Sequence, residues 1–357
     1  MEPVIVDENR AELFGERILN VLNDSMLSLM LSVGHRTGLF DAMSTMAPAT
    51  SAEIAEQTGL VERYVREWLA AMTVGRVVEY DPPTKGYHLP PEHAATLTRA
   101  SGPDNMAMFM QYTALLGSVE GDIVRCFHHG GGVPYSAFPD FHRVMAEESG
   151  QVIDATLLDV TLPLASGLVD RLRSGIDVAD VGCGSGHAIN VMAGAFPASR
   201  FTGFDFSDEA IDRARSEANA LGLVNARFER RDVSDLGETE AFDFITTFDA
   251  IHDQARPDLV LAGIRQALRP GGLYLCIDIA ASSNLEENID HPIGMYLYAA
   301  STMHCMTVSL ALDGMGLGTA WGQELATRML TDAGFADIEV RHVEGDIQNV
   351  YYLCRTE

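Results

Sequence analysis

Apolar side chains recur every three or four residues near the start of the chain, which is the spacing of one face of a helix. They are Phe14, Ile18, Leu22, Met26, Met30 and Val33. We predict a long helix that ends at Gly34, since glycine commonly follows the last turn of a helix. An apolar stripe of this length usually has a partner surface.

Two shorter helices and a hairpin are predicted next. Thr50 and Glu53 have the spacing of a capping box, which would open a short helix that ends near Gly59. A second helix is predicted over residues 61–74, ending at Gly75, and a β-hairpin with a Pro-Pro turn over residues 77–89. Two short helices followed by a two-stranded wing are typical of a winged helix.

In the second half of the chain, short apolar runs alternate with stretches of helical pattern. Strands separated by helical stretches of about 10–15 residues indicate βαβ units and a parallel sheet. The predicted strands cover residues 178–181, 201–205, 226–233, 242–249 and 268–278. A return helix over about residues 323–333 and a final hairpin, residues 336–343 and 349–354, complete the pattern.

A glycine-rich loop follows the first of these strands. Asp180 precedes three glycines, Gly182, Gly184 and Gly186, and a helix is predicted from about His187. Glycine allows a positive φ and lets a ligand approach bare backbone, while the helix N-terminus offers N–H donors to that ligand. Dinucleotide loops have the spacing G-x-G-x-x-G, and here the third glycine comes one residue earlier. The alternative is an ordinary structural turn between strand and helix.

Acidic residues end the next two predicted strands. Asp205 lies 25 residues after Asp180 and can accept hydrogen bonds from both vicinal hydroxyls of a ribose. Asp232 can accept from an adenine amino group, although it can equally cap a helix or lie in a turn.

The composition bounds the class of protein. At 357 residues the chain is long enough for two domains. It carries 24 Lys and Arg against 51 Asp and Glu, a net charge of −27. Winged helices often bind DNA, but backbone binding to nucleic acid depends on cationic side chains. In the candidate recognition helix Arg63 and Arg66 are accompanied by Glu62 and Glu67. We therefore expect no nucleic-acid partner.

Targeting and cysteine patterns are equally restrictive. The first residues show no basic segment ahead of an apolar one, and no stretch offers about 18 consecutive apolar residues. We expect a soluble, cytoplasmic protein without a membrane partner. The five cysteines are scattered without the spacing of a metal site, so we expect neither disulfides nor a bound metal.

The motif Asp180-x-Gly182-x-Gly184-x-Gly186, with Asp205 ending the next strand, resembles that of class I S-adenosylmethionine (SAM) methyltransferases. The resemblance implies an α/β fold with a Rossmann-like seven-stranded sheet whose last strand is antiparallel. It implies S-adenosyl-L-methionine as the cofactor and S-adenosyl-L-homocysteine as its product. The motif residues would contact the methionine part and the ribose, and Asp205 would hold the ribose hydroxyls.

The same resemblance assigns residues to the rest of the cofactor. Phe206 would lie on an adenine face, although it can also belong to the core. Asp232 and Val233 would meet the adenine edge, and Phe248 would offer its carbonyl to the methionine ammonium group.

A winged helix ahead of a SAM core resembles small-molecule O-methyltransferases, and in particular bacterial, including mycobacterial, winged-helix SAM methyltransferases. The resemblance implies a mostly α-helical winged-helix domain over residues 1–100, which dimerises and closes the substrate pocket. It implies a helical linker over residues 101–150 and a SAM-binding domain over residues 151–357, with an insertion, residues 281–322, above the substrate pocket. The expected partners are a small-molecule acceptor and a second copy of the chain.

The insertion supplies candidates for the substrate pocket, namely Tyr296, Met303, His304 and Trp321. It would lie beyond the carboxyl ends of the strands, where open α/β sheets bind their ligands. The alternative is a helical pair that only extends a dimer core, since methionine commonly fills gaps.

The segment after the fourth strand carries the candidate catalytic residues. His252-Asp253-Gln254 stands where plant-type O-methyltransferases have His-Asp-Trp with the histidine as general base. The resemblance therefore implies that His252 takes the proton of the acceptor and that Asp253 orients the imidazole. Gln254 departs from the pattern, and His252 could instead only pack or cap. The Pro-Pro loop of nucleic-acid amino methylation is missing.

We interpret the chain as a SAM-dependent enzyme that methylates a small, fairly apolar acceptor by in-line displacement, with oxygen the favoured nucleophile and nitrogen or carbon open. One alternative is a SAM-sensing regulator that binds DNA through the winged helix without turnover. Another is a nicotinamide-dependent oxidoreductase on a related sheet.

Overall fold

The computed structural model describes residues 6–138 and 140–356. The chain divides into two compact units, Met1–Gly117 and Ser118–Glu357. The stretch expected to be a separate linker, residues 101–150, is therefore shared between the two units.

The first unit is mostly helical. Its helices and strands among the described residues are, in chain order, α1 (Glu8–Thr37), α2 (Leu39–Met43), α3 (Ser51–Thr58), α4 (Glu62–Val74), β1 (Glu79–Asp81), β2 (Gly86–His88), α5 (Pro91–Ala94), α6 (Met106–Phe109) and α7 (Gln111–Gly117).

The long helix α1 continues past the residue predicted to end it. Asp7 caps its start, and Gly38, in the left-handed conformation at φ 71°, ends it. Gly34 lies inside the helix, where an added Cβ would come within 2.5 Å of the rings of Phe40 and Trp68. The predicted end at Gly34 is wrong because this glycine allows close packing of helices and does not terminate one.

Helices α3 and α4 with the hairpin β1–β2 confirm the predicted winged helix. Thr50 and Glu53 form the capping box at the start of α3. The hairpin is shorter than predicted, because the N–H groups of Val77 and Val78 donate to the Met72 carbonyl, at 2.8 and 3.2 Å, and close α4 instead of pairing in the wing. Buried apolar residues of these elements form one core.

One face of α1 is apolar and exposed. Phe14 is 60% exposed, Ile18 51% and Leu22 57%, and Leu19 and Met26 on the same helix are also more than half exposed. Large exposed apolar patches on soluble proteins often mark interaction sites.

The second unit is an α/β domain. Its helices and strands among the described residues are α8 (Glu120–His129), α9 (Phe141–Thr156), α10 (Leu168–Ser174), β3 (Asp177–Val181), α11 (His187–Ala195), β4 (Arg200–Asp205), α12 (Asp208–Ala220), β5 (Ala226–Arg230), β6 (Phe242–Phe248), α13 (Pro257–Ala267), β7 (Leu268–Ile279), α14 (Gly294–Ala300), α15 (Met306–Leu310), α16 (Gly322–Asp332), β8 (Asp337–Arg341) and β9 (Asn349–Arg355).

These strands form one seven-stranded sheet in the order β5-β4-β3-β6-β7-β9-β8. Neighbouring strands are parallel except β9, which runs antiparallel to both β7 and β8. This confirms the predicted sheet and its antiparallel last strand. Successive residues of a strand face opposite sides, and Val178 and Ala179 of β3 accordingly belong to two different apolar cores. Both faces of the sheet are therefore covered.

The third strand of this unit, β5, is shorter than predicted. It ends at Arg230, and Asp232 caps a short 3-10 turn, Val233–Asp235, by accepting a hydrogen bond from the N–H of Ser234 at 3.0 Å. The sequence left open whether Asp232 would lie in a turn, and in the structure it does.

The insertion, residues 281–322, is helical. Its helices α14 and α15 are joined by a π-helical turn, Ser301–Cys305, and α16 follows at Gly322. Isolated π turns occur frequently at functional sites.

Among the described residues no single helix has the length and apolar character of a membrane span, although one sharply bent pair, Phe141–Leu164 with Leu168–Ser174, meets both criteria together.

Candidate active site

The glycine loop joins β3 to α11 at the edge of the sheet where the parallel strands have their carboxyl ends. All three glycines have positive φ, 78° at Gly182, 51° at Gly184 and 72° at Gly186. A Cβ on Gly186 would come within 2.4 Å of the Phe228 ring, and one on Gly182 within 2.8 Å of the Cβ of Ala250. A Cβ on Gly184 would meet nothing within 4 Å. Gly184 therefore presents bare backbone to open space, where a ligand can lie against it.

Asp205 ends β4 and ties this loop to the next strand. Its Oδ2 accepts a hydrogen bond from the N–H of Gly184 at 2.9 Å, and its Oδ1 accepts from the N–H of Ser207 at 2.9 Å. The residue is 8% exposed, and burial raises the pKa of its carboxyl group. Each carboxylate oxygen keeps a second lone pair, so both can still accept from a ligand's hydroxyl groups.

Asp180 lies deeper, at 2% exposure, and its Oδ1 accepts a hydrogen bond from the Thr246 hydroxyl at 2.9 Å. Burial, with a smaller contribution from the charge of Asp205, raises the pKa of Asp180 to about 7. The loop acid is therefore easily protonated in the ligand-free protein.

The other predicted cofactor residues lie at the same edge of the sheet. Phe206 directly follows β4 and is 47% exposed. Asp232 and Val233 follow β5, with Val233 at 4% exposure, and Phe248 is the last residue of β6. The carboxyl ends of β3, β4, β5 and β6 thus bring the predicted set together, as parallel strands require.

His252 forms a buried ion pair with a residue that sequence reasoning missed. Its Nδ1 donates to Oδ1 of Asp278 at 2.7 Å, and the two side chains are 6% and 0% exposed. The same oxygen accepts from Nε1 of Trp321 at 3.1 Å and from the N–H of Ile279 at 2.8 Å. Asp278 could have been singled out as the acid near the end of the fifth predicted strand, which is the signal that identified Asp205.

Opposing effects act on the imidazole. Burial disfavours the charged form, but the carboxylate of Asp278 and a side-chain hydrogen bond with Cys305 raise the pKa of His252 well above its ordinary value. The Asp278 carboxylate therefore favours the charged form of His252 in the ligand-free protein.

Asp253 contacts a different partner. Its Oδ2 accepts a hydrogen bond from the Tyr135 hydroxyl, and Oδ1 lies 3.4 Å from Nε2 of Gln254. The hydrogen bond that orients the imidazole, expected from Asp253, is made by Asp278. Burial raises the pKa of Asp253, and the nearby His252 charge and the Tyr135 hydrogen bond oppose that rise.

His304, from the π-helical turn of the insertion, lies in an aromatic cluster. Its ring stacks on Phe141, with centroids 3.9 Å apart, and meets the Tyr135 ring edge-on at 5.0 Å. It is 3% exposed and its Nε2 has no hydrogen-bond partner among the described residues. Burial lowers the pKa of His304 to about 3, so the ring is neutral.

The other insertion candidates differ in their placement. Trp321 is 3% exposed and belongs to the core beside Asp278. Tyr296 and Met303 are half-buried, and burial raises the pKa of Tyr296. The structure thus brings His304 toward His252 and uses Trp321 as a hydrogen-bond donor within the core.

Asp249 is a further residue that sequence reasoning did not assign. It follows β6 with φ 48°, a conformation uncommon outside glycine, and its Oδ1 is buried without a hydrogen-bond partner in the described part of the chain. Burial and the charge of Asp278 raise the pKa of Asp249 to about 8. Buried carboxyl groups with strongly shifted pKa values cluster at functional sites. In the described ranges no three His, Cys, Asp or Glu side chains are grouped as a metal site would require.

Two family models match the chain. Residues 25–99 match the model described as an Rv2258c-like winged HTH domain, and residues 172–334 match the model described as a methyltransferase domain. The first lies within the helical unit and the second contains the glycine loop, Asp205, His252 and Asp278.

Similar proteins are found both by sequence and by structure. A fatty-acid O-methyltransferase of Mycolicibacterium smegmatis is 31% identical over 111 residues, which is 31% of this chain and 39% of that protein. The chain spans 39% and 54% of the lengths of the first two curated relatives it matches.

Two solved structures share the fold over nearly their whole length. An O-methyltransferase family protein from Burkholderia thailandensis is 18% identical with a TM-score of 0.67, covering 96% of this chain and 97% of that one. Human N-acetylserotonin methyltransferase in complex with SAM is 18% identical with a TM-score of 0.66, covering 100% of this chain and 99% of that one.

Proposed function

We propose that this chain, in which a winged HTH domain model matches residues 25–99 and a methyltransferase domain model matches residues 172–334, is a class I SAM-dependent methyltransferase that transfers a methyl group to an oxygen atom of a small, fairly apolar acceptor. The observation that carries the proposal is the pairing of Gly184 with Asp205. Bare backbone facing open space and a carboxylate at the adjacent strand end are held together by one 2.9 Å hydrogen bond.

These residues fit the cofactor. Asp205 would hold the ribose hydroxyls through its remaining lone pairs, and the open face of Gly184 would accept the methionine part without a steric clash. Phe206, about half exposed, would cover an adenine face, with Asp232 and Val233 at the adenine edge. Asp180, Gly182 and Gly186 would shape the loop, and the Phe248 carbonyl would accept from the ammonium group. SAM supplies an electrophilic methyl group on a sulfonium centre.

His252 would be the general base. It would take the proton of the acceptor hydroxyl as that oxygen becomes the nucleophile, while Asp278 fixes the ring through Nδ1. A base must be neutral to accept a proton, and the pKa of His252 is raised in the ligand-free protein. Turnover should therefore rise with pH through that pKa. Most of the rate gain would come from alignment of the reacting groups.

The acceptor would bind beside His252 under the insertion. Tyr296, Met303 and His304 offer half-buried or buried apolar and aromatic surface there, while Trp321 supports the wall through Asp278. The fatty-acid O-methyltransferase relative and the N-acetylserotonin methyltransferase neighbour both carry oxygen-containing acceptors in their names. These names support oxygen as the nucleophile by analogy.

We further propose that the enzyme is a homodimer through α1. The support is the exposed apolar face of this helix, in which Phe14, Ile18 and Leu22 are each more than half exposed. A second copy would bury that face.

All five cysteines are free, which fits a reducing compartment such as the cytoplasm.

Two alternatives remain to be separated from this proposal. A DNA-binding regulator would use α4, but there Arg63 pairs with Glu67 and Arg66 with Glu62, so little cationic surface is left for phosphate. A gel shift against genomic fragments at low salt should retain no fragment. A nicotinamide-dependent oxidoreductase would bind NAD.

The proposal is tested by an acceptor screen. Purified protein is incubated with SAM and a library of phenols, alcohols and carboxylic acids, together with matched amines, and formation of S-adenosylhomocysteine is measured. We expect acceptor-dependent product with one oxygen-nucleophile class and a mass increase of one methylene in that acceptor. Turnover confined to amines would contradict oxygen as the nucleophile.

A further inference from the structure

The segment that leads into α9 places a tyrosine among the proposed catalytic groups. Tyr135 meets Phe206 edge-on at 5.7 Å and His304 at 5.0 Å, and stacks with His142 at 6.2 Å between ring centroids. Its hydroxyl donates to Asp253. One side chain thus contacts the expected adenine side, the insertion and the residue next to His252.

This position is fixed by contacts of the residues just before it. The N–H of Val133, itself 2% exposed, donates to the hydroxyl of Thr307 on α15 at 2.8 Å. Gly132 lies so close to α15 that an added Cβ would come within 2.0 Å of the Thr307 carbonyl oxygen. Tyr135 is therefore presented from an anchored backbone.

Asp253 depends on this hydroxyl for its hydrogen bonding. The other donor to its carboxylate among the described residues, Nε2 of Gln254, is 3.4 Å from Oδ1, near the limit for a hydrogen bond. The Tyr135 hydroxyl donates to the other carboxylate oxygen, Oδ2. Hydrogen bonds to a charged carboxylate are among the stronger ones in proteins.

We propose that Tyr135 is a positioning residue of the methyl transfer, which holds the Asp253 carboxylate ionised and in place beside His252. The role in catalysis rests on the proposed function, whereas the effect on Asp253 does not. A hydrogen bond to the charged form of an acid favours that form. Removing the hydroxyl should therefore favour protonated Asp253.

Several other groups act on this carboxylate. His252 on its own loop lowers the pKa of Asp253, while the charges of Asp278 on β7 and Asp205 on β4 raise it, and Cys305 of the π-helical turn faces the same pair. With three acidic or thiol groups and one imidazole around it, the carboxylate has few sources of stabilisation. The Tyr135 hydrogen bond is one of them.

The test is titration of Asp253 by carbon NMR of the side-chain carboxyl groups, in the whole protein without ligand. Its resonance is identified by its loss in Asp253→Asn. In Tyr135→Phe we expect the pKa of Asp253 to rise by about one pH unit, the size of a charged hydrogen bond. The matched control is Tyr351→Phe, which removes the hydrogen bond from Tyr351 to Asp346, 2.6 Å long, in the same unit. It should leave Asp253 unchanged.

Activity gives the second readout, with an acceptor from the screen. Tyr135→Phe should lower kcat, with the KM for SAM unchanged because the ring against Phe206 is kept. In the Asp253→Asn background the same change should have no further effect. An unaltered Asp253 titration in folded Tyr135→Phe overturns the proposal. If the pKa of Asp253 shifts in Tyr135→Phe but the protein methylates no acceptor, the effect of Tyr135 on Asp253 stands and the proposed function is contradicted instead.

Discussion

Nδ1 of His252 lies 2.7 Å from Oδ1 of Asp278, and both side chains are almost completely shielded from solvent. The same carboxylate oxygen also accepts from Trp321 and from its neighbouring backbone N–H. The imidazole is therefore held in one orientation by a carboxylate that is itself fixed, which is how a general base is usually supported.

Asp278→Asn should lower the pKa of His252, because the carboxylate is the main charge that raises it. A base with a raised pKa is protonated below that pKa, so wild-type turnover should increase as pH rises through it. In the variant this increase should occur at lower pH, and maximal turnover should fall roughly tenfold or more. The pH–rate profile checks this. Asp337→Asn, at an exposed position, serves as the control. If the pH–rate profile of Asp278→Asn were identical to that of the wild type, the His252–Asp278 pair would have no role in catalysis.

His252→Ala should reduce turnover by about 10²–10⁴-fold, the usual contribution of a positioned general base. Affinity for S-adenosylhomocysteine should be nearly unchanged, since the proposed cofactor contacts lie on the glycine loop and Asp205. Steady-state kinetics with an accepted substrate and calorimetry measure the two quantities. Wild-type turnover in the variant would remove His252 from the mechanism.

Two glycines of the loop should respond differently to alanine. Gly184→Ala places a Cβ in open space, so it should weaken S-adenosylhomocysteine on the order of tenfold or more while costing only about 1 kcal/mol of backbone strain. Gly186→Ala drives a Cβ to within 2.4 Å of Phe228 and should destabilise the unit by about 1–3 kcal/mol. Calorimetry and chemical denaturation distinguish them. If both variants lost the same binding affinity for S-adenosylhomocysteine and had the same stability, the ligand would not lie against Gly184.

Gly34→Ala should destabilise the helical unit by about 1–3 kcal/mol, because its Cβ would meet the rings of Phe40 and Trp68 at 2.5 Å. Gly15 lies on the same helix with nothing within 4 Å of an added Cβ. Gly15→Ala should be neutral or stabilising by up to about 1 kcal/mol through helix propensity. Thermal unfolding of both variants measures the contrast, and equal effects would contradict the packing role of Gly34.

The double change Phe14→Glu with Ile18→Glu should convert the proposed dimer to a monomer, since it buries charge in an apolar interface. Sedimentation velocity measures the change, with Glu16→Gln on the same helix as control. A wild-type protein that is monomeric at micromolar concentration would refute the dimer.

Much of the fold could be predicted from the sequence because local signals agreed with the tertiary structure. Capping residues, the alternation of short apolar runs with helices, and the glycine loop each correspond to an observed element. The signals failed where packing decides the outcome. Gly34 was predicted to end a helix because it is a glycine, but it lies inside the helix and allows close contact with two aromatic rings.

The site was only partly accessible from sequence. Asp205 could be found because it ends a strand at a fixed distance from the loop, and His252 because it resembles a family motif. Asp278 comes 26 residues after its partner His252 in the chain, and Tyr135 comes 118 residues before its partner Asp253. Asp278 does lie near the end of a predicted strand, as Asp205 does, but no local pattern marks Tyr135, since only the path into α9 brings it to Asp253.

Cofactor binding tests the central claim most directly. Purified protein, confirmed folded and freed of carried-over ligand, is titrated calorimetrically with S-adenosylhomocysteine and, in parallel, with NAD. Asp205→Ala and the exposed Asp208→Ala are compared in the same way. We predict binding of S-adenosylhomocysteine by the wild type and Asp208→Ala, its loss in Asp205→Ala, and no binding of NAD. Folded wild-type protein that does not bind S-adenosylhomocysteine, or that binds NAD instead, would contradict the assignment of the glycine loop and of the enzyme.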